Sequence, residues 1–288
     1  MTNLFNRAAI FTDLHLGMKS NSQIHNQDCE RYIDWFIDLV KQNNCDIILF
    51  LGDFHHNRNS INISTMDFSL RCLEKLEQTG IRTMFIPGNH DLYHKDKRTL
   101  SSIKYISKFK NIQLINEQYT ESDVCFVPWL IGEEHKNMRK INARYVMGHF
   151  ELPKFLMNAM VEMPDHGELS REDFDHVEKV FTGHFHKRQT QNNIYYIGNA
   201  FPHNFADAWV TYLECNYELG RYQEFINTYK ELSTRFPKRT FIEIEGLLAW
   251  SYYEQGDVKT CRSIYKEILK HQPQDAECWY SMGLTWHY

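Results

Sequence analysis

Thr83-Met84-Phe85-Ile86-Pro87-Gly88-Asn89-His90-Asp91 is the stretch around which the chain is organised. A short apolar run feeds a Pro-Gly turn, then sets an amide, an imidazole and a carboxylate in consecutive positions. An apolar run ending in turn residues and polar groups reads as a buried parallel strand releasing its loop at the carboxyl edge. In open α/β sheets that edge is where ligands bind. Read alone, Gly88-Asn89-His90-Asp91 is also compatible with an ordinary turn. Its neighbours along the chain weigh against that reading.

Working outward, the same arrangement recurs. Arg7–Thr12 is a β-prone run ending in Asp13-Leu14-His15, and Asp46–Leu51 is a second apolar run releasing Gly52-Asp53-Phe54-His55-His56. Helical periodicity over about Asn26–Gln42, through Tyr32, Trp35, Phe36 and Leu39, and over Ser64–Gln78 separates these runs. The order is βαβαβ, the signature of a parallel sheet. Beyond Asp91 the pattern predicts a helix over Thr99–Phe109, then strands at Ile112–Ile115 and Val124–Val127. Two further runs, Ala143–Gly148 and Val180–Gly183, end in His149 and in His184-Phe185-His186, and a last one spans Ile194–Ile197. Glu151–Asp173 is mixed and polar and carries no clear periodicity.

Composition narrows the function classes. The 288 residues are 42% hydrophobic, enough for a sizeable core. Seven cysteines with no CxxC pair favour reduced thiols over a disulfide framework or a zinc knuckle. The amino-terminal residues lack the charged and apolar pattern of a signal peptide, and no apolar run is long enough to span a bilayer, so a soluble cytoplasmic protein is expected. That cytoplasm would be a bacterial cell's, or the host's if the chain is phage-encoded. After Trp209 there are 9 Lys+Arg against 11 Asp+Glu, and before it 23 against 26. Neither part is a basic nucleic-acid-binding domain by bulk charge, so any DNA contact must use local patches and metal ions.

Asp13, His15, Asp53, Asn89, His149, His184 and His186 all stand at the ends of separate β-runs, where a parallel sheet converges them. Carboxylate, imidazole and carboxamide donors suit Mn, Fe or Zn better than Ca or Mg. Asp-x-His and His-x-His place alternate side chains of an extended segment on one side. Two metals need about eight ligand positions, which seven side chains with one bridging carboxylate provide. Singly, each residue has a plainer reading: a hydrogen-bonded histidine, a helix-capping Asp53, a turn-forming Asn89. Five strand ends carrying such groups together favour the metal site.

Asp-Leu-His, Gly-Asp, Gly-Asn-His-Asp, Gly-His and Gly-His-Phe-His, in this order, resemble the calcineurin-type metallophosphoesterase superfamily over about residues 8–209. The resemblance implies an α/β (α+β) fold, a two-sheet β-sandwich flanked by helices. It implies a first metal on Asp13, His15, Asp53 and His186, and a second on Asp53 (bridging), Asn89, His149 and His184. His90 would be the general acid at the leaving oxygen. Protein phosphatases of the superfamily carry GDxxDRG; here the stretch is Gly52-Asp53-Phe54-His55-His56-Asn57-Arg58. A histidine three residues after the bridging aspartate is similar to the SbcD-type DNA repair nucleases, and more closely to the recombination endonuclease small subunits of T-even-like phages. Val127-Pro128-Trp129, Gly148–Leu152 and Tyr196–Pro202 echo the same group. His56 would then contact the scissile phosphate or an adjacent nucleotide; a supporting hydrogen bond is the plainer role. Lys95, Lys97, Arg98, Lys136, Arg139, Lys140, Lys187 and Arg188 fall in loops near these motifs and could track a DNA backbone, scattered surface cations being the alternative.

Beyond Trp209 the pattern changes. Tyr217, Gly220, Tyr229 and Pro237 recur as Tyr253, Gly256, Tyr265 and Pro273, each 36 residues on. This resembles tetratricopeptide repeats, about two and a half of them, and their aromatics are expected to fill helix-pair cores. The expected domains are therefore a metallophosphoesterase nuclease domain over 1–209 and an all-α repeat segment over 210–288. Past the Gly198–Trp209 stretch the resembled nucleases continue with closing strands and a capping or partner-binding region, none of which is readable here.

The expected function is that of a metal-dependent DNA nuclease, hydrolysing phosphodiesters with a water activated by two divalent ions. Mn²⁺ is favoured; Mg²⁺, Fe²⁺ or Zn²⁺ would also serve. DNA is the expected partner, with an SbcC-type ABC ATPase subunit, a protein partner for the repeats and a homodimer as further partners the resemblance allows. The alternatives are a phosphatase or nucleotide phosphodiesterase with a protein-binding module, and an interaction protein with a vestigial metal site.

Overall fold

The computed structural model describes residues 2–158, 161–201, 212–213, 216–235, 242–271 and 273–286. Its first strands are β1 (Ala8–Phe11), β2 (Ile47–Phe50) and β3 (Arg82–Phe85), joined through α1 (Gln23–Gln42) and α2 (Ile63–Gln78). With β4 (Ile112–Leu114) they form one parallel sheet in the order β1-β2-β3-β4. Every residue of β2 is buried, as befits a strand covered on both faces. Both helices start on polar caps: the Ser22 hydroxyl accepts from the His25 N–H, and Asn62 Oδ1 accepts from the Ser64 N–H.

A second sheet of six strands is built from β5 (Tyr119–Glu121), β6 (Val124–Val127), β7 (Tyr145–His149), β8 (Lys179–Gly183), β9 (Gln189–Gln191) and β10 (Ile194–Tyr196), in the order β9-β10-β8-β7-β6-β5. Its four central strands run parallel, and an antiparallel strand closes each edge.

Alternation along β2 shows how the layers meet. Ile47 and Leu49 join Met84, Val124, Phe126 and Met147 in a core between the two sheets. Ile48 and Phe50 point the other way, onto Phe36, Val40, Leu73 and Leu76 of α1 and α2. The outer face of the second sheet, through Val127, Val146 and Val180, packs on Met138, Phe155 and Phe174. The architecture is thus the expected mixed α/β sandwich with helices outside it.

One expected element is replaced. Instead of a helix over Thr99–Phe109 there is a hairpin of Leu92–His94 with Lys97–Ser101, then a 3₁₀ turn over Lys104–Lys108. Leu100 is exposed and has no face to bury as a helix residue, whereas Ile103 and Ile106, three apart, are both buried, a spacing that suits the tighter 3₁₀ winding. Within the unassigned Glu151–Asp173 stretch, Leu156–Asn158 pairs with Val161–Glu162.

Contacts divide the chain into Met1–Phe201 and Pro202–Tyr288. The second unit contains α3 (Tyr222–Arg235), α4 (Ile242–Glu254), α5 (Val258–His271) and α6 (Ala276–Leu284). Phe225, Ile226, Leu232 and Leu248 pack α3 on α4; Ala249, Cys261, Tyr265 and Cys278 pack α4, α5 and α6. Gly220 and Gly256 both lie in the left-handed region, at φ 68° and 82°. Each donates its N–H to the carbonyl three residues back, Tyr217 or Tyr253, at 2.9 Å. The 36-residue spacing therefore repeats in backbone geometry as well as in residue type. Pro237, the 209/210 boundary and 202–209 lie outside the described residues. Among those described, no helix is long and apolar enough to cross a membrane.

Candidate metal centre

The carboxyl ends of β1, β2, β3, β7 and β8 meet at one place, and they bring all seven expected ligands there. Asp13, His15, Asp53, Asn89 and His149 are at most 4% exposed. Among the described residues, three groups place candidate metal donors within 4.8 Å of one another: Asp13 with His15 and His186, Asp53 with His149 and His184, and His15 with His56 and His90. The first two correspond to the two expected halves of the centre.

Asp53 joins them. Its Oδ1 accepts the His90 backbone N–H at 2.8 Å. Its Oδ2 lies 3.7 Å from His15 Nε2 on one side and 3.5 Å from His149 Nε2 on the other. In the first half His15 Nε2 and His186 Nε2 approach to 3.0 Å, each 3.7 Å from Asp13 Oδ1. The other oxygen, Asp13 Oδ2, accepts from the Thr12 hydroxyl at 2.7 Å and the His184 N–H at 3.1 Å. In the second half Asn89 Oδ1 lies 3.2 Å from His149 Nε2 and 3.0 Å from His184 Nδ1. The far nitrogens of both rings are engaged: His149 Nδ1–H donates to the Leu51 carbonyl at 2.6 Å, and His184 Nε2 lies 3.0 Å from Glu151 Oε2. Anchoring one ring nitrogen so that the other faces inward is how histidine ligands are oriented.

This donor set fits a pair of divalent ions. Asp13 Oδ1 is buried with no hydrogen-bond partner, a costly state unless a cation faces it. Oxygen and imidazole donors converge from two sides on one shared carboxylate. The local backbone is committed to the same end: Asp13, His15, Asp53 and His184 all have positive φ, at 52°, 52°, 61° and 89°. Asp and His tolerate that region better than most residues, yet such angles persist only where the surroundings enforce them. Two glycines permit the crowding. A Cβ on Gly52, itself at φ 99°, would stand 2.4 Å from His149 Nδ1, and one on Gly88 would stand 2.2 Å from Asp53 Oδ1.

Electrostatics follow from the burial. Burial disfavours charge on Asp13, but His15 and His149 hold its carboxyl down at about 2. Burial likewise works against a charged His149, yet Asp53 and Asp13 lift it to about 9. His90 and His56 sit at the opening, rings stacked 5.3 Å apart at 17°. His90 Nδ1–H donates to the His56 carbonyl at 2.7 Å, leaving Nε2 as the nitrogen free to exchange a proton. Burial lowers the His90 pKa, with Asp53 opposing, and burial with His15 and His90 lowers that of His56 to about 4.

Three contributors were not assigned from sequence. The Asp91 carboxylate accepts four backbone N–H groups, those of Asp53, Phe54, His55 and Gly88, at 2.9–3.1 Å, the Gly88 bond capping the short 3₁₀ turn Asn89–Asp91. It thereby ties the β2 loop to the β3 loop. Glu151 orients His184, and its only sequence signal is the alternation His149-x-Glu151 at the end of β7. His25 reaches the His15 carbonyl at 3.0 Å from within α1, with no local signal at all. Several cations suggested for DNA are engaged elsewhere: Arg98 with Glu134, Lys136 with Glu133, Arg139 with Asp173. Lys95 stays at the site, 5.0 Å over the Trp129 ring and 3.9 Å from Glu151.

The model of the calcineurin-like phosphoesterase family matches residues 7–188. Exonuclease subunit 1 of Enterobacteria phage T4 is 28% identical over 204 residues, covering 68% of this chain and 59% of that protein. The chain thus spans under two thirds of that relative's length. A solved nuclease MPE of Pseudomonas putida is 17% identical, covers 66% of each chain and has a TM-score of 0.33. A dimetal phosphatase of Danio rerio is 12% identical, covers 68% of this chain and 88% of its own, and has a TM-score of 0.43. With the family model covering well over half of its length and ending just past His186, the chain belongs to the calcineurin-like phosphoesterases.

Proposed function

We propose that this chain is a metal-dependent nuclease of the recombination and repair type, hydrolysing DNA phosphodiesters. The observation that carries the proposal is Asp53 Oδ2, set between two histidine-lined donor groups with His56 and His90 stacked beside them. Asp13, His15 and His186 would hold one ion, Asn89, His149 and His184 the other, and Asp53 both. When bound, such a pair, with Mn²⁺ favoured, polarises the phosphate and acidifies water.

The chain's own residues supply the rest. His90, its Nδ1–H committed to the His56 carbonyl, presents Nε2 to the departing sugar oxygen and, having taken up a proton there as the imidazolium, can deliver it to that oxygen and return to the neutral ring. Deep burial of Asp13, Asp53 and His149 keeps bulk water out of the ligand shell, so the donors keep their geometry through turnover. His56, held neutral, can donate a hydrogen bond to the phosphate or an adjacent nucleotide without adding charge.

Two features favour a nuclease over a protein phosphatase. His56 and Asn57 stand where that branch has the Asp-Arg of GDxxDRG, and the phage T4 relative is by name an exonuclease subunit. The word subunit in that name supports a partner subunit, for which the motif resemblance suggests an SbcC-type ATPase. The helices of the second unit are proposed as tetratricopeptide-like and protein-binding, supported by the repeated Gly220 and Gly256 turns.

Purified protein with Mn²⁺ is expected to degrade single-stranded or duplex DNA, and His90→Ala to lose about 10²–10⁴-fold in rate. A substrate with a good leaving group, which needs little proton delivery, should be spared most of that loss. Activity confined to phosphomonoesters would sink the nuclease reading.

A further inference from the structure

We propose that a cavity beside the Asn89–His149–His184 half of the centre is a subsite for one unpaired nucleobase flanking the scissile phosphate; the inference rests on the nuclease reading. The cavity has a volume of about 160 Å³, and Trp129, His135, His149, Glu151, Met163 and Leu169 are among the residues lining it. His149 and Glu151 also belong to the metal centre, so an occupant is contiguous with the group being cleaved.

Its chemistry selects the occupant. Trp129, Met163 and Leu169 offer apolar contact for a flat ring, while His135 and Glu151 offer hydrogen-bonding groups to a ring edge. A phosphate is disfavoured by the Glu151 carboxylate at the wall, and a sugar alone leaves the apolar surface unmatched. The cavity is smaller than the roughly 300–1,000 Å³ of drug-sized sites, so it admits one ring system and not a base pair.

The wall is built in advance. The Trp129 indole N–H donates to the Lys95 carbonyl at 3.1 Å, and its backbone N–H donates to the Pro87 carbonyl at 3.0 Å. Its own carbonyl accepts from Arg98, which is anchored in turn on Glu134. An aromatic wall already fixed at the strand ends loses little freedom when a base meets it. A base can enter only after leaving its stack, so the preferred substrate is single-stranded DNA or a frayed end rather than an intact duplex interior.

The test is an abasic walk. Full-length protein with Mn²⁺ is given single-stranded oligonucleotides carrying one tetrahydrofuran abasic site at successive positions across a mapped cut, with matched duplexes alongside. Removing the base at one flanking position should slow kcat/KM on the order of tenfold, the usual scale of one base–aromatic contact. Other positions should change little, and single strands should be cut faster than duplex. In Leu169→Trp, which fills the cavity, the penalty at that position should disappear because the base is excluded from every substrate. Cleavage with no position-dependent penalty, or a penalty unchanged in Leu169→Trp, overturns the subsite and leaves the nuclease reading standing. Hydrolysis of bis(p-nitrophenyl) phosphate with no DNA cleaved overturns both. The walk on the unmodified protein decides even where the variant fails to fold.

Discussion

The strand-edge loops of the first unit and the helix pairs of the second bury opposite kinds of residue. In the loops, Thr12, Asp13, His15, Asp53, His55, Asn89, Asp91 and His149 are all at most 4% exposed. Among the described residues of the second unit, the buried polar groups are Asn216, Thr228, Ser251 and Thr285, none of them ionisable, and the rest of the interior is apolar or aromatic. Burying carboxylates and imidazoles costs stability unless each finds a partner. The first unit accepts that cost mostly where chemistry is expected, Asp123 being a buried carboxylate outside the centre; the described residues of the second show no such sacrifice. The loops are constrained by donor type, and the helices by volume.

The largest effect that bears on this contrast is at Asp53. Asp53→Asn keeps the volume and removes the shared anionic oxygen, so activity should fall roughly a thousandfold or more, beyond the 10–100-fold carried by outer partners of metal ligands. If the variant binds two ions and turns over normally, Asp53 is not the bridge. Leu232→Ala is the counterpart in the second unit. Opening a cavity beside Phe225 and Leu248 should destabilise those helices by about 2–5 kcal/mol, read as an earlier thermal transition. Hydrolysis of a small phosphodiester should stay within twofold, and a matching loss would show that the helices are not constrained by volume alone.

Asp91→Asn probes the grip on the two loops. An amide oxygen can accept only part of what both carboxylate oxygens now accept, and its NH₂ would face backbone donors. A penalty of about 1–3 kcal/mol is expected, with weaker metal uptake, measured by denaturant unfolding and metal titration. An unchanged midpoint would mean the four contacts are not limiting. Smallest is Glu151→Ala, which releases His184 while leaving every proposed ligand in place. Metal affinity should fall about 10–100-fold and activity should return at higher Mn²⁺. Loss that no metal concentration restores would give Glu151 a different role.

How much of this could be read from residues alone depends on the range of each interaction. Runs such as Ile47–Phe50, followed by Gly52 and Asp53, are local signals: apolar strand, turn, ligand. The parallel sheet then needs no more than the βαβαβ order to bring the ends together. Asp91 and Glu151 resisted because the partners that matter most, Asp53 and His184, lie 38 and 33 residues away, and the only local marks are the nearby Gly88 and the alternation with His149. The Thr99–Phe109 segment misled for a different reason. Its apolar residues suit a helix, but pairing with Leu92–His94 exposes Leu100 and leaves Ile103 and Ile106 a single 3₁₀ turn. The cavity was invisible in sequence because its walls come from three separated segments around Trp129, His149 and Met163.

The 171-residue separation between His15 and His186 also has a consequence for biogenesis. Asp13 and His15 leave the ribosome early, whereas His184 and His186 are among the last residues of the first unit to be made. At synthesis rates of about 5–20 residues per second, roughly 9 to 34 seconds separate His15 from His186, and neither half is complete in that interval. On the proposed function, a chain that hydrolyses DNA would therefore be made inactive, its donor set complete only once β8 has closed against β7.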